Sequence, residues 1–368
     1  MNNKLIKSKK TIFSLLILGV LFASAFIVKC STTKPDDAMQ PYFVAVSRAN
    51  SVAYSKDGSK WEFVEDAVKG ISAEFHSICY GKDENDNNIF VAVGSGICYY
   101  STDGVNWEEG KGSVLSGNNW QSVCYGNGTY VAVDSSNQKV MSSHNGKNWA
   151  LVSVLVSVTN GWGAICSGAD KFVMIEIGGA ADRKVAYSNH NGSSWREVAY
   201  KLPGYIGIPE DKSMDWKSIC YGNGKFIAVA SARNYSGTQR IAYSADGKDW
   251  AAAVISTLPN SNWNSVCYGE DKFVAVGGID GDGTIAYTFN GDEWTEVNMN
   301  PKPNEWLTCI CYGNKKFVAI SMNGIVNYSS NNGVTWSPSN KNLTPSSAPW
   351  SSVCFGYVDA EELKRRLF

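Results

Sequence analysis

One run of residues is written over and over along this chain, and the repetition limits what it can fold into. Between Trp263 and Trp294 it reads W-N-S-V-C-Y-G-E-D-K-F-V-A-V-G and then T-I-A-Y-T-F-N-G-D-E-W. Its first half returns at Phe75, Trp120, Trp162, Trp216, Trp306 (one residue further out) and Trp350. Its second half ends at Trp61, Trp107, Trp149, Trp195, Trp250, Trp294 and Trp336. These positions account for all 13 tryptophans. Counted between leading aromatics, the period of 42 to 54 residues marks an array of like supersecondary units.

Each unit holds four strand-like segments. S-V-C-Y-G is the first and F-V-A-V the second, which is too apolar on both faces for an open sheet and must be sandwiched. I-A-Y-S is the third. An Asp/Asn-Gly pair follows, as at Asp57-Gly58, Asn145-Gly146 and Asp246-Gly247, and supplies the positive φ of a tight turn. The fourth strand starts at the next tryptophan. A four-stranded antiparallel unit covered on both faces by its neighbours is a β-propeller blade.

Counting units sharpens this. Six complete ones run from Phe75 to just past Trp336. A lone first strand remains at the far end, 350–356, and three strands remain at the near end, 43–46, 52–55 and 61–64. Together they make one more blade. The reading is an all-β, seven-bladed β-propeller over 42–357, closed by a blade shared between the two terminal segments, so that no sheet edge is left open. Residues 358–368, Asp-capped with acids first and bases last, are expected to form a short helix.

The amino-terminal residues 1–29 read as an export signal. Lys4, Lys7, Lys9 and Lys10 precede an uncharged, mostly apolar run from Thr11 to Val28. Cys30 and the polar tether 30–41 resemble a bacterial lipoprotein signal with an acylated cysteine, although Lys29 departs from the small residue expected there. Ordinary cleavage at Ala23-Ser24-Ala25 and an uncleaved anchor are the alternatives. All three export the propeller. The expected location is therefore the cell envelope, as a membrane-anchored lipoprotein or, alternatively, a secreted protein.

Of 10 cysteines, seven occupy one repeat position: Cys79, Cys124, Cys166, Cys220, Cys267, Cys311 and Cys354. Equivalent strands in neighbouring sheets lie roughly 10 Å apart, too far for a disulfide, whose Cα atoms approach to about 7 Å or less. These residues are read as small buried thiols, and no metal or cofactor is expected.

The turns, above all Ser329-Ser-Asn-Asn-Gly-Val-Thr-Trp336, resemble the Asp-box (bacterial neuraminidase repeat) of sialidase-like propellers. Ser142 to Trp149 and Ser188 to Trp195 share its spacing, and the other four turns are one residue shorter. The resemblance implies the fold. In that family the box is a folding device placed away from the substrate, so it implies nothing of activity.

Function is sought where the units differ. The longest connections fall in three consecutive blades spanning 162–294, on one face of the ring. Candidate ligand-binding residues there are the leading aromatics Trp120, Trp162, Trp216, Trp263, Trp306 and Trp350, either as platforms or as wedges between blades. Polar candidates are Glu176, Arg183, Arg233 and Arg240. His76, His144 and His190 lack partners for nucleophilic catalysis. With a formal net charge of −1, the chain lacks the electrostatic footprint of a nucleic-acid binder. The expectation is an exported protein that binds a glycan or an envelope protein without chemistry. A sialidase-like glycoside hydrolase, with Glu176 and Asp134 as its carboxylates, and an assembly scaffold are the alternatives.

Overall fold

The computed structural model describes residues 39–360 except 65–66, 69–73, 155, 157, 178–183, 199–201, 204–214, 232–239, 256–257, 260 and 344–348. The expected signal, Cys30 with most of its tether, and nearly all of the carboxy-terminal helix lie outside the described residues. Within them, the strands form seven four-stranded antiparallel sheets, the expected seven-bladed propeller. Blades 1 to 6 follow the chain order at 75–109, 120–152, 162–197, 215–252, 262–296 and 307–338. Blade 7 joins Trp350–Asp359 to Met39–Ser47, Val52–Ser55 and Glu62–Val64.

The closing pair is longer than the sequence suggests. Met39 faces Asp359 and the pairing continues to Ser47 opposite Trp350, so three tether residues and the first two of the expected helix extend the sheet. Every backbone pair added here ties the two distant ends of the array together.

The core is a ring of seven wedges, one between each pair of adjacent blades. Alternation along the second strands explains it. In blade 7, Phe43 and Ala45 enter the wedge shared with blade 6, while Tyr42, Val44 and Val46 enter the wedge shared with blade 1. A strand apolar on both sides is therefore buried on both sides.

Inner strands of successive blades lie side by side around the central channel. Five serines stitch them together. The backbone N–H of Val123 donates to Ser77 Oγ at 3.2 Å, and Ile165, Val266, Ile310 and Ile78 donate in the same way to Ser122, Ser218, Ser265 and Ser352. Ala164 and Cys309 take the serine position in blades 3 and 6. Toward the turn end, the glycine of each inner strand lies against the next blade, against an aromatic ring in six cases and against Ser167 in the case of Gly126. A Cβ on Gly222 would sit 2.0 Å from Tyr268 Cγ, and one on Gly313 would sit 1.9 Å from Phe355 Cγ. The nine described cysteines are free, and burial pushes all of their thiols up.

The turns between third and fourth strands share one hydrogen-bond plan, except in blade 3, where the Ser188 hydroxyl takes no part in it. Ser244 Oγ donates to Asp246 Oδ1 and accepts from Gly247 N–H. Asp246 Oδ1 accepts from the N–H groups of Lys248 and Asp249, and Trp250 Nε1 donates to Gly247 O. The indole-to-glycine bond recurs in all seven blades. In blade 2 the capping serine is Ser143, not Ser142, so that turn has the shorter form. Only the turns of blades 3 and 6 carry the extra residue.

Candidate functional site

The mouth of the channel, on the face of the variable connections, holds a cavity of about 1080 Å³. Its walls come from a repeated irregularity. In every inner strand the register slips by one residue just after the leading position. A bulge of this kind leaves one residue unpaired and re-aims its side chain. The seven bulged residues are His76, Gln121, Gly163, Lys217, Asn264, Thr308 and Ser351, and all seven line the cavity. They are the one inner-strand position that differs in every blade. That variation was the available sequence signal, hidden between an aromatic and a serine that hardly vary.

Four of the seven bridge to the next blade. His76 Nδ1 lies 3.2 Å from Trp120 O, Asn264 Nδ2 donates to Leu307 O at 2.9 Å, Thr308 Oγ1 to Trp350 O at 3.0 Å, and Ser351 Oγ to Phe75 O at 2.7 Å. A carbonyl can only accept, so the proton of His76 sits on Nδ1. Burial, helped by the charge of Arg48, lowers the pKa of His76, and the ring is neutral near pH 7. Gln121 and Lys217 make no such bridge among the described residues, and Gly163 has no side chain to offer. Lys217 Nζ pairs with Asp215 at 3.3 Å with both groups partly exposed, an arrangement of small energetic value that a ligand can displace.

The sequence-nominated residues are distributed quite differently. Trp120, Trp162, Trp216, Trp263 and Trp350 are at most 1% exposed, and each indole fills a wedge between blades. Their rings are closed to a ligand, and the wedge alternative describes them. Trp306 differs. Leu307 takes the wedge in its blade, and the Trp306 indole is left 44% exposed at the cavity wall.

Glu176 is fully buried. Its carboxylate accepts from the N–H groups of Thr159 (2.7 Å), Asn160 (3.1 Å) and Lys184 (3.2 Å). Asp134, at the matching position of blade 2, is equally buried and accepts from the N–H groups of Asn119, Ser136 and Asn137. Both carboxylates organise loops, and neither lines the cavity. Arg240 is buried as well and donates to Ser261 O at 2.6 Å and Asn262 Oδ1 at 3.1 Å, joining blade 4 to the entry of blade 5. Burial lowers its pKa. Arg183 and Arg233 lie outside the described residues, as do most of the long connections of blades 3 and 4. The third long connection, in blade 5, is described. It extends the sheet as a hairpin, with Gly277 opposite Thr284, Gly278 opposite Gly283 and Ile279 opposite Asp282. Among the described residues no three His, Cys, Asp or Glu side chains gather to hold a metal.

No protein-family description matches this chain, and no curated protein sequence does. Solved structures do match. "YCF48 bound to D1 peptide" aligns with a TM-score of 0.52 at 14% identity, covering 72% of this chain and 81% of that one. YCF48 from Cyanidioschyzon merolae aligns at 0.51 and 12% identity, covering 72% and 84%. The computationally designed Ika8 protein aligns at 0.51 and 12%, covering 84% and 88%. At these identities the likeness is one of fold.

Proposed function

We propose that this protein binds a segment of a protein partner in the mouth of its central channel and does no chemistry on it. The observation that carries this reading is the ring of seven different residues, one from each blade, around a cavity large enough for several residues of extended chain. Inner strands that repeat at most positions, yet differ at the bulged residue facing the cavity, have their variation where recognition occurs. The commitment of Glu176 and Asp134 to backbone N–H groups favours binding over a glycosidase mechanism, which needs two carboxylates about the scissile bond. The propeller YCF48, similar in fold, is described as bound to a peptide, a precedent for the architecture. Export and attachment to the envelope through Cys30 complete the proposal, with the partner an envelope or surface protein.

The test is panning of a displayed random-peptide library on the immobilised full chain, beside a glycan array. Enrichment of peptides that Gln121→Trp, which plugs the mouth, no longer retains is the expected result. Retention of glycans with no peptide enriched would overturn the reading. Loss of metabolic palmitate labelling in Cys30→Ser checks the anchor.

A further inference from the structure

The leading aromatic of blade 6 breaks the pattern of the other blades. Its indole sits outside the wedge, and the surroundings hold it there. The blade 5 hairpin pairs two glycines, Gly278 and Gly283, near its tip. With no side chains on that pair, the segment 303–306 lies flat against it. Gly283 N–H donates to Pro303 O at 2.7 Å, and a Cβ on Gly278 would come within 2.3 Å of Trp306 Cδ1. Backbone therefore supports one side of the indole, while a large part of the ring stays open at the cavity wall. Met322, 53% exposed, lines the same cavity.

Beside the indole stands Glu305, also in the cavity wall. Its carboxylate is oriented from both oxygens. Ser321 Oγ donates to Oε2 at 2.7 Å, and Asn323 Nδ2 donates to Oε1 at 3.0 Å. Two neutral donors fix its position without neutralising it, and among the described residues no cation pairs with it. An exposed aromatic face next to an oriented, unneutralised carboxylate is the chemistry that receives a cation. The ring quadrupole attracts the charge and the carboxylate pairs with it.

We infer that Trp306 and Glu305 receive a basic side chain, arginine or lysine, of the bound partner segment. The inference rests on the channel mouth being a peptide site, and it specifies which residue that peptide must carry. A planar guanidinium stacks on an indole while keeping donors for the carboxylate, and an ammonium offers a point charge only. Arginine is therefore the tighter of the two. Neutral sugars also stack on tryptophan and can donate hydroxyls to a carboxylate, but they leave the charge of Glu305 unpaired, whereas a basic side chain pairs with it.

The experiment is fluorine NMR of the fluorotryptophan-labelled full chain in detergent micelles, with Trp306→Phe identifying the resonance. The probes are the capped tripeptides acetyl-Gly-Arg-Gly-amide and its Lys, Gln and Glu counterparts, with chitotriose as the sugar. The Arg peptide should shift the Trp306 resonance saturably, the Lys peptide less tightly, and Glu305→Gln should weaken the Arg peptide by about tenfold. Added salt should weaken binding through the screening of the ion pair. Equal shifts from the Gln peptide, a response to chitotriose alone, or no response would each overturn the inference. Glu305→Gln lies on the surface and leaves the wedges untouched, so misfolding does not cloud the result. Peptides retained in the library test and lost in Gln121→Trp, but indifferent to Glu305→Gln, would leave the channel-mouth reading standing while this inference fails.

Discussion

The two ends of each inner strand teach different things. At the turn end six of the seven blades carry the same pair, an aromatic and then a glycine pressed against the next blade, and blade 3 has Ser167 before its glycine. At the mouth end, only a few residues away, the bulged position differs in all seven. One end must fit a copy of itself repeated around a closed ring, so deviation is penalised at every blade. The other end faces a cavity and is free to vary.

The largest loss belongs to the turn end. Gly222→Val would drive side-chain atoms into Tyr268 and should cost about 3 kcal/mol or more, read as a lower urea midpoint. If the blades can part enough to absorb it, the ring is softer than its packing implies. A smaller loss is expected from Ser244→Ala. It removes a buried hydroxyl that caps one turn and should cost about 1 to 2 kcal/mol.

Acid should act mainly through the turns. Burial alone would raise the Asp57 and Asp246 carboxyls, but backbone N–H groups, hydroxyl donors and the Lys316 or Lys171 charge outweigh it, and both stand lowered. A carboxyl lowered on folding adds stability above its unfolded pKa of about 4 and loses it as pH falls through the folded value. His76 acts earlier, at the mouth. Its pKa is lowered on folding, so below about pH 6.5 the unfolded chain takes up a proton that the folded one resists. Urea midpoints should therefore begin to fall near that pH and fall further below about pH 4. Asp246→Asn should flatten the lower step only, and the outcome to watch is an unchanged slope in that variant.

The smallest effect on stability belongs to the mouth. Lys217→Ala, in the same strand as Gly222, should change the unfolding free energy by no more than about 0.5 kcal/mol while altering which peptides the library test retains. A large stability change there would erase the distinction between the two ends.

Blade number, strand order and the shared closing blade were legible because repetition exposes them. Twelve tryptophans in two fixed positions, a thirteenth one residue out of place, and a two-faced apolar strand leave little choice of architecture. The same regularity hid the site. Aligned repeats draw the eye to what recurs, and Trp120, Trp162, Trp216, Trp263 and Trp350 recur because every wedge needs filling. Glu176 stands out in the sequence as a carboxylate closing a second strand and Arg240 as a loop charge, yet each is buried against backbone partners that no local pattern announces. The long blade 5 connection looked like a loop with its own function. Its Gly278 and Gly283 instead form a flat support for Trp306.

By itself the sequence determined the unit, the number of units and the way the ring closes. These depend on local strand pattern, turn chemistry and the period of the repeat, all of which are written in consecutive residues. Only the tertiary structure decided which side chains meet the cavity. That depends on a one-residue bulge in each inner strand, and on whether a tryptophan or a leucine fits the wedge beside it. Both are settled by contacts between blades some 40 to 50 residues apart in the chain, where a shift of one residue turns a buried ring into an exposed one.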